Sequence, residues 1–252
     1  MSEVPLGGHK FHVGSYCKLN SDYPDNVNSI SDVITIVKDI GNQIPDNSWM
    51  LYLLEFYIDK FNPIPVELNL TCSFKDDGKF IAIFGGQDQH TFEKIVPTVG
   101  HSYRRQVLID PHKRLITYSL NDLQTTQSEA FRLTEEDIQN VENILQLYKI
   151  SNVKEIEFVG ADHLTGLEWH NRSYDGVYPI RYQVEISMLQ YGKPDSGDPL
   201  DVLYLPYNAL ISDKDERDKG YPVAFQDIKL MSNCISYTIA SGNCQNGMTC
   251  SL

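Results

Sequence analysis

Three groups of residues in this chain have side chains and spacings suited to chemistry. His9, His12 and Cys17 bring two imidazoles and a thiol together near the N-terminus. A zinc site normally adds a second ligand pair downstream, and none follows at matching spacing, so these read as polar residues of an N-terminal arm. His163, Glu168 and His170 form a second group in the run DHLTGLEWH. On a strand Glu168 and His170 share a face, which permits an acid–base or metal-assisted pair; the simpler reading is a hydrogen-bonded histidine beside Trp169. Asp195, Asp198 and Asp201 are the third group, carboxylates that a hard divalent cation would bind if they converged. The fingerprints GxSxG, HExxH, the Walker loop and GxGxxG are absent, so the sequence assigns no catalytic, metal or cofactor residue.

The elements that must position these groups are mostly strands. The stretch Pro65 to Phe84 alternates Val66, Leu68, Leu70, Cys72 and Phe74 with polar residues, then reaches Asp77-Gly78, the pair a tight type I′ hairpin needs. A two-residue loop there sets Phe74 opposite Ile81 and Cys72 opposite Ile83. Phe80, Ala82 and Phe84 then lie on the other face, so this strand is expected inside a larger sheet. Trp49 to Ile58 is apolar almost throughout and reads as a buried strand. RRQVLI and RLITYSL form a second hairpin around Asp110-Pro111-His112-Lys113. Leu167 to Met188 reads as a long hairpin turning at Asp175-Gly176, Val153 to Val159 as a strand, and Val223 to Ile239 as one or two more.

Two helices are expected. Ile30, Val33, Ile34, Val37 and Ile40 recur at helical spacing, with Ser29 or Ser31 as N-cap and Gly41 as stop. Glu135 to Tyr148 starts at the cap Thr134, with Glu135, Glu136 and Asp137 in its first turn and Leu133 placed to staple onto Ile138. The fold class is therefore mainly β, or β-rich α+β: an antiparallel β-sandwich with an N-terminal arm and helix and one or two further helices. One domain covers 1–252, with the arm and helix in 1–45 and the β-rich body in 46–252.

A net charge of −13 disfavours nucleic acid or an anionic membrane as partner. The N-terminus MSEVPLGGHK lacks the basic and apolar regions of a secretory signal, and no apolar run is long enough for a membrane helix. Five cysteines form no CxxC pair; Cys244 and Cys250 would bridge only in an oxidising compartment. Of fifteen tyrosines, eight crowd the C-terminal third, from Tyr174 to Tyr237, where neutral phenols would support contacts that fail as they ionise near pH 10.

Two family resemblances follow from particular segments. Ser196 to Val202 (SGDPLDV) resembles the aspartate segment of soluble inorganic pyrophosphatases, in which carboxylates hold magnesium; the match covers only that segment. VELNLTCSFKDDGKFIAI, RRQVLIDPHKRLI and TGLEWHNRSYDGVYPIRYQVEI together resemble cypovirus polyhedrins, in similar order along the chain. The N-terminal region is longer here and the first two segments lie closer together. The polyhedrin resemblance implies a non-enzymatic occlusion-body matrix protein in the host cytoplasm, assembling with itself around virus particles and dissolving at alkaline pH. It also implies a nucleotide held in the lattice, though no residue here matches that site. The alternative reading is a β-sandwich binding module or metal-assisted hydrolase using Glu168, His170 and the Asp195 to Asp201 loop.

Overall fold

The computed structural model describes residues 9–18, 28–38, 48–59, 62–73, 78–141, 143–158, 160–171, 183–192, 210–212, 223–231 and 234–241. These build two antiparallel seven-stranded sheets packed as a sandwich, the mainly β architecture that the alternating segments predict. Sheet I runs β12 (Leu210–Ser212), β1 (His9–Lys18), β10 (Gly160–Asn171), β3 (Ser48–Ile58), β4 (Ile64–Ser73), β5 (Lys79–Phe84) and β6 (Gln87–Thr91). Sheet II runs β13 (Val223–Met231), β14 (Cys234–Ser241), β11 (Gln183–Gly192), β2 (Ser29–Ile36), β7 (Ser102–Asp110), β8 (Leu115–Asp122) and β9 (Ser128–Thr134).

The segment Ile30 to Ile36 is the central strand β2 rather than a helix, flanked by β11 and β7. Ile30, Ile34 and Ile36 are buried in the core at period two, with Asp32 at the second position of that face. β-branched residues buried on a pleated surface favour this outcome, and the spacing of Ile30 and Ile34 fits both periods. His9 to Lys18 is likewise not an irregular arm: all ten residues pair with β10. The strands around Asp175-Gly176 are not a hairpin either. β10 pairs with β1 and β3 in sheet I, whereas β11 pairs with β2 and β14 in sheet II, so partners distant in sequence occupy both edges of each strand. The hairpin of β7 and β8, the strand β3 and the pair β13 and β14 are as expected.

The pairing of β4 with β5 differs in register from the two-residue turn. Ile81 faces Asn69, five positions back from Phe74, and an odd shift exchanges the faces. Phe80, Ala82 and Phe84 thereby join Leu70, Leu68 and Val66 in the core, while Ile81 and Ile83 turn to the other side. Two phenylalanine rings enter the core in this register, which outweighs the local preference of the turn. The tight turn of this region is Gly85-Gly86, between β5 and β6, with both glycines at positive φ.

Between β9 and β10 the predicted helix is two short ones, α1 (Glu135–Asn140) and α2 (Ile144–Leu147). Thr134 caps α1 in a reciprocal capping box with Asp137. Val141 leaves the helix with extended backbone and Asn143 is left-handed, a break that allows Ile138 and Ile144 both to be fully buried. Of the expected strand Val153 to Val159, the described residues 153–158 do not form one. Asn152 accepts from the Lys154 amide and turns Val153–Glu155 into a 3-10 turn, with Val153 buried in it and Ile156 and Phe158 buried beyond it.

A buried charged group joins the two sheets. Arg105 of β7 is fully buried and bonds Asp32 with Nε and Nη2, at 2.9 and 2.5 Å. Its Nη2 also donates to the Leu53 carbonyl at 3.0 Å, and its Nη1 donates to the carbonyls of Leu68, at 2.9 Å, and Tyr52. All five guanidinium N–H groups are thus satisfied. The β3–β4 ladder pairs Tyr52 with Leu70 and Glu55 with Glu67 but not the residues between, so the guanidinium occupies a gap in sheet I. Burial pushes the Asp32 carboxyl up, and the Arg105 charge opposes it.

Candidate functional site

The gap filled by Arg105 on the core side opens a polar feature on the opposite face of sheet I. Tyr52, Leu54 and Phe56 of β3 and Val66, Leu68 and Leu70 of β4 point into the core. Alternation therefore places Leu53, Glu55, Glu67, Asn69 and Thr71 on the outer face. Glu55 and Glu67 face each other directly across the two strands, and they are 5% and 9% exposed. Directly opposed residues bring their β-carbons to about 4.5–5.5 Å. Asn69, fully buried, donates from Nδ2 to Glu67 Oε2 at 2.6 Å. Its Oδ1 accepts the Leu54 amide at 3.2 Å, inside the ladder gap. The amide is therefore fixed by backbone on one side and orients the carboxylate on the other.

The β5–β6 turn packs against a tyrosine. Gly85, at φ +59°, bonds from its amide to the Pro65 carbonyl at 2.8 Å. A β-carbon there would stand 1.9 Å from Ile144 Cδ1 and 3.5 Å from Tyr148 Cε2, so only glycine admits α2 and the residue after it. Tyr148 is half-buried, and burial, then the charges of Glu67 and Glu55, hold its phenol above the ordinary range. Tyr118 is raised well above that range by burial and by Glu67; its hydroxyl donates to the Ile83 carbonyl at 3.0 Å. Two carboxylates directly opposed in a water-poor setting disfavour each other's ionisation. That is the equipment for paired general acid and base chemistry.

The residues singled out in the sequence fall nearby on the ladder. His12 is in register with Glu168 and Lys10 with His170; Glu168 is in turn opposite Leu51, and His170 opposite Trp49. Glu168 and His170 thus occupy alternate positions of β10 equivalent in parity to Glu55, as a strand requires. His163 pairs with Phe56 and Cys17 with His163, at positions of the other parity. Asp195, Asp198 and Asp201, like Cys244 and Cys250, lie outside the described residues. Among the described residues no group of three His, Cys, Asp or Glu is arranged to hold a metal ion, and no helix is long and apolar enough to cross a membrane. Sequence reasoning passed over Glu55, Glu67, Asn69 and Tyr148. One signal was present: Glu55 is the one charged residue in the apolar run Trp49 to Ile58.

No protein-family model and no curated protein matches the chain. Solved structures do resemble it in fold. Scytalido-glutamic peptidase with a peptide-based transition-state analogue matches at TM-score 0.49 and 9% identity, over 93% of this chain and all of the peptidase. The enzymatically active domain of tailspike protein 2 from bacteriophage CBA120 matches at TM-score 0.37 and 10% identity, over 72% of this chain and 24% of the tailspike chain. Basic winged bean lectin with Tn-antigen matches at TM-score 0.33 and 8% identity, over 61% and 75%. These structures are a peptidase, a tailspike enzyme domain and a lectin, and none is a polyhedrin. The expectation of a non-enzymatic occlusion-body matrix protein is accordingly corrected and carried no further.

Proposed function

We propose that this protein is a hydrolase working by general acid–base catalysis from Glu55 and Glu67. The observation that carries the reading is the opposition of two nearly buried carboxylates on neighbouring strands, one of them tied to a fixed amide. A hydrogen bond from Asn69 favours the charged form of Glu67, which makes Glu67 the base that takes a proton from water. Glu55 then holds the proton and delivers it to the leaving group. Low exposure of both groups strengthens their electrostatics and keeps bulk water from competing.

The test is hydrolysis of a soluble protein and of neutral polysaccharides between pH 3 and 7 by the full chain, beside Glu67→Gln and Glu55→Gln. The expected result is wild-type turnover that falls about 10²–10⁴-fold in each variant while the melting transition stays in place. A wild-type chain inert towards every polymer, or an E67Q variant as active as wild type, overturns the reading.

A further inference from the structure

We infer that one end of the sandwich is a docking surface for a second copy of this chain, closing a twofold dimer. Among the described residues five large apolar side chains are exposed, and four of them, Val37, Val96, Val99 and Leu123, belong to segments that meet at that end. β2 stops there at Ile36 and β8 at Asp122, β7 starts there at Ser102, and the segment from β6 to β7 crosses from sheet I to sheet II. Backbone bonds hold these segments side by side. Gly100 N–H donates to the Ile36 carbonyl at 2.7 Å, Ile36 N–H to the His101 carbonyl at 3.1 Å, and Leu123 N–H to the Ser102 carbonyl at 2.9 Å. Tyr103, fully buried, fixes the loop from beneath: its hydroxyl accepts the Thr98 amide at 2.7 Å and donates to the Val96 carbonyl at 3.0 Å. Val96 and Val99 are nevertheless 62% and 51% exposed.

Apolar groups clustered on the surface mark a place where something binds, and a loop already fixed by hydrogen bonds loses little freedom on binding. Charge decides the occupant. The chain has 34 acidic residues against 21 basic ones, a net charge of −13, so two copies repel over most of their surface. In a twofold contact the same patch meets itself, and any charge near the axis meets its like. Residues 35–37, 96–102 and 123–128 contain no Asp, Glu, Lys or Arg. Asp122, which lies beside them, is buried, and its carboxylate is taken up by His101 Nδ1 at 2.9 Å and by the amides of Gln124 and Thr125. The charges that border these segments, Lys38 and Lys94 against Glu93 and Glu129, balance in sign and form a polar rim. A cationic partner is drawn to the acidic remainder of the molecule rather than to this neutral end. A second copy is repelled by that remainder and meets no like charge here. The contact uses the patch once on each copy, so assembly stops at two.

The experiment is sedimentation equilibrium of the full chain from about 1 to 200 µM, at low and at high salt, for wild type, V96K/V99K, L123Q and L147K. The expected result for wild type is a monomer–dimer equilibrium that tightens as salt rises, because screening weakens the repulsion between two acidic molecules and leaves the apolar contact in place. V96K/V99K should weaken the dimer at least about tenfold, since each added charge meets its copy across the axis. L123Q removes apolar surface at the same end without adding charge and should shift the equilibrium in the same direction. L147K is the control and should match wild type: Leu147, the fifth exposed apolar residue, sits on α2, which packs on the Gly85 turn at the start of β6, whereas Val96 follows its end. Melting curves taken where wild type is monomeric should coincide for all four chains, because the substituted side chains are exposed. A wild type that stays monomeric at the highest concentration overturns the proposal. So does a dimer that V96K/V99K and L123Q leave as tight as before, one that salt loosens, or a species that grows beyond two copies.

Discussion

Arg105 carries a cation into the layer between the sheets, and its worth lies in what it leaves behind when removed. Arg105→Met strands Asp32 at 1% exposure and frees three carbonyls in the β3–β4 gap. Breaking a buried pair from one side costs about 3–5 kcal/mol. Urea denaturation should show that loss for R105M, and a double variant R105M/D32L should regain much of it, because no charge is then left buried. Asp122 makes the opposite kind of case, at the C-terminal end of β8. Burial raises its carboxyl, yet the bonds it accepts from His101, Thr125 and Gln124 outweigh that and hold it below the ordinary range. Its folded form therefore binds a proton less readily than the unfolded chain. The stabilisation is complete above the unfolded value, near pH 4, and is lost as pH falls through the lower folded value. Melting curves of wild type and Asp122→Asn should converge as the pH is taken below about 4. Neither residue announces itself in the sequence. Asp32 breaks the alternation of Ile30, Ile34 and Ile36, and the cation that excuses it lies 73 residues further on. A lone acid among isoleucines consequently reads as the polar side of a helix.

At the scale of elements, local chemistry was legible where it acts locally. The Thr134 cap is readable because Asp137 lies three residues away, and both bonds of the box form, Asp137 N–H to Thr134 Oγ1 at 3.1 Å and Thr134 N–H to Asp137 Oδ2 at 2.8 Å. Thr134→Ala should cost about 0.5–2 kcal/mol, read from the denaturation midpoint, and should move little else because α1 is only six residues long. The register of β4 on β5 was not readable, because it depends on which aromatic residues the opposite sheet can bury. Asp77-Gly78 is a good turn pair, and Gly78 does take positive φ; the two-residue turn nevertheless forms at Gly85-Gly86. Gly85 shows why that turn resists substitution. A methyl group there meets Ile144 Cδ1 at 1.9 Å on a backbone that already disfavours a side chain. Gly85→Ala should lower stability by about 1–3 kcal/mol and should disturb Tyr148 as α2 shifts, which a tyrosine absorbance titration would register. The carboxylate pair belongs to the same scale: Glu55 and Glu67 meet only once β3 and β4 are in register, so no spacing along the chain marks them as partners.

The whole molecule is held by pairings between segments far apart in sequence, and the N-terminal strand is the sharpest instance. β1 lies between β10 and β12, pairing from His9 with Asn171 to Lys18 with Asp162 on one side and with Leu210–Ser212 on the other. Gly14 and the scattered polar residues look like a loose arm because the partner strands come at least 144 residues later, and only the assembled sheet gives the backbone groups of β1 somewhere to bond. An arm and a strand make different predictions for a chain that begins at residue 19. An arm can be removed with the transition intact. Removing β1 leaves β12 without its ladder and uncovers the edge of β10 along its length, an unpaired edge of the kind that recruits other chains. The truncated chain should therefore lose its cooperative transition near the wild-type midpoint and elute as soluble aggregate or precipitate, and adding a synthetic peptide of residues 9–18 should restore monomer and raise the midpoint. A truncated chain that melts and elutes like the full one would show that sheet I closes without β1.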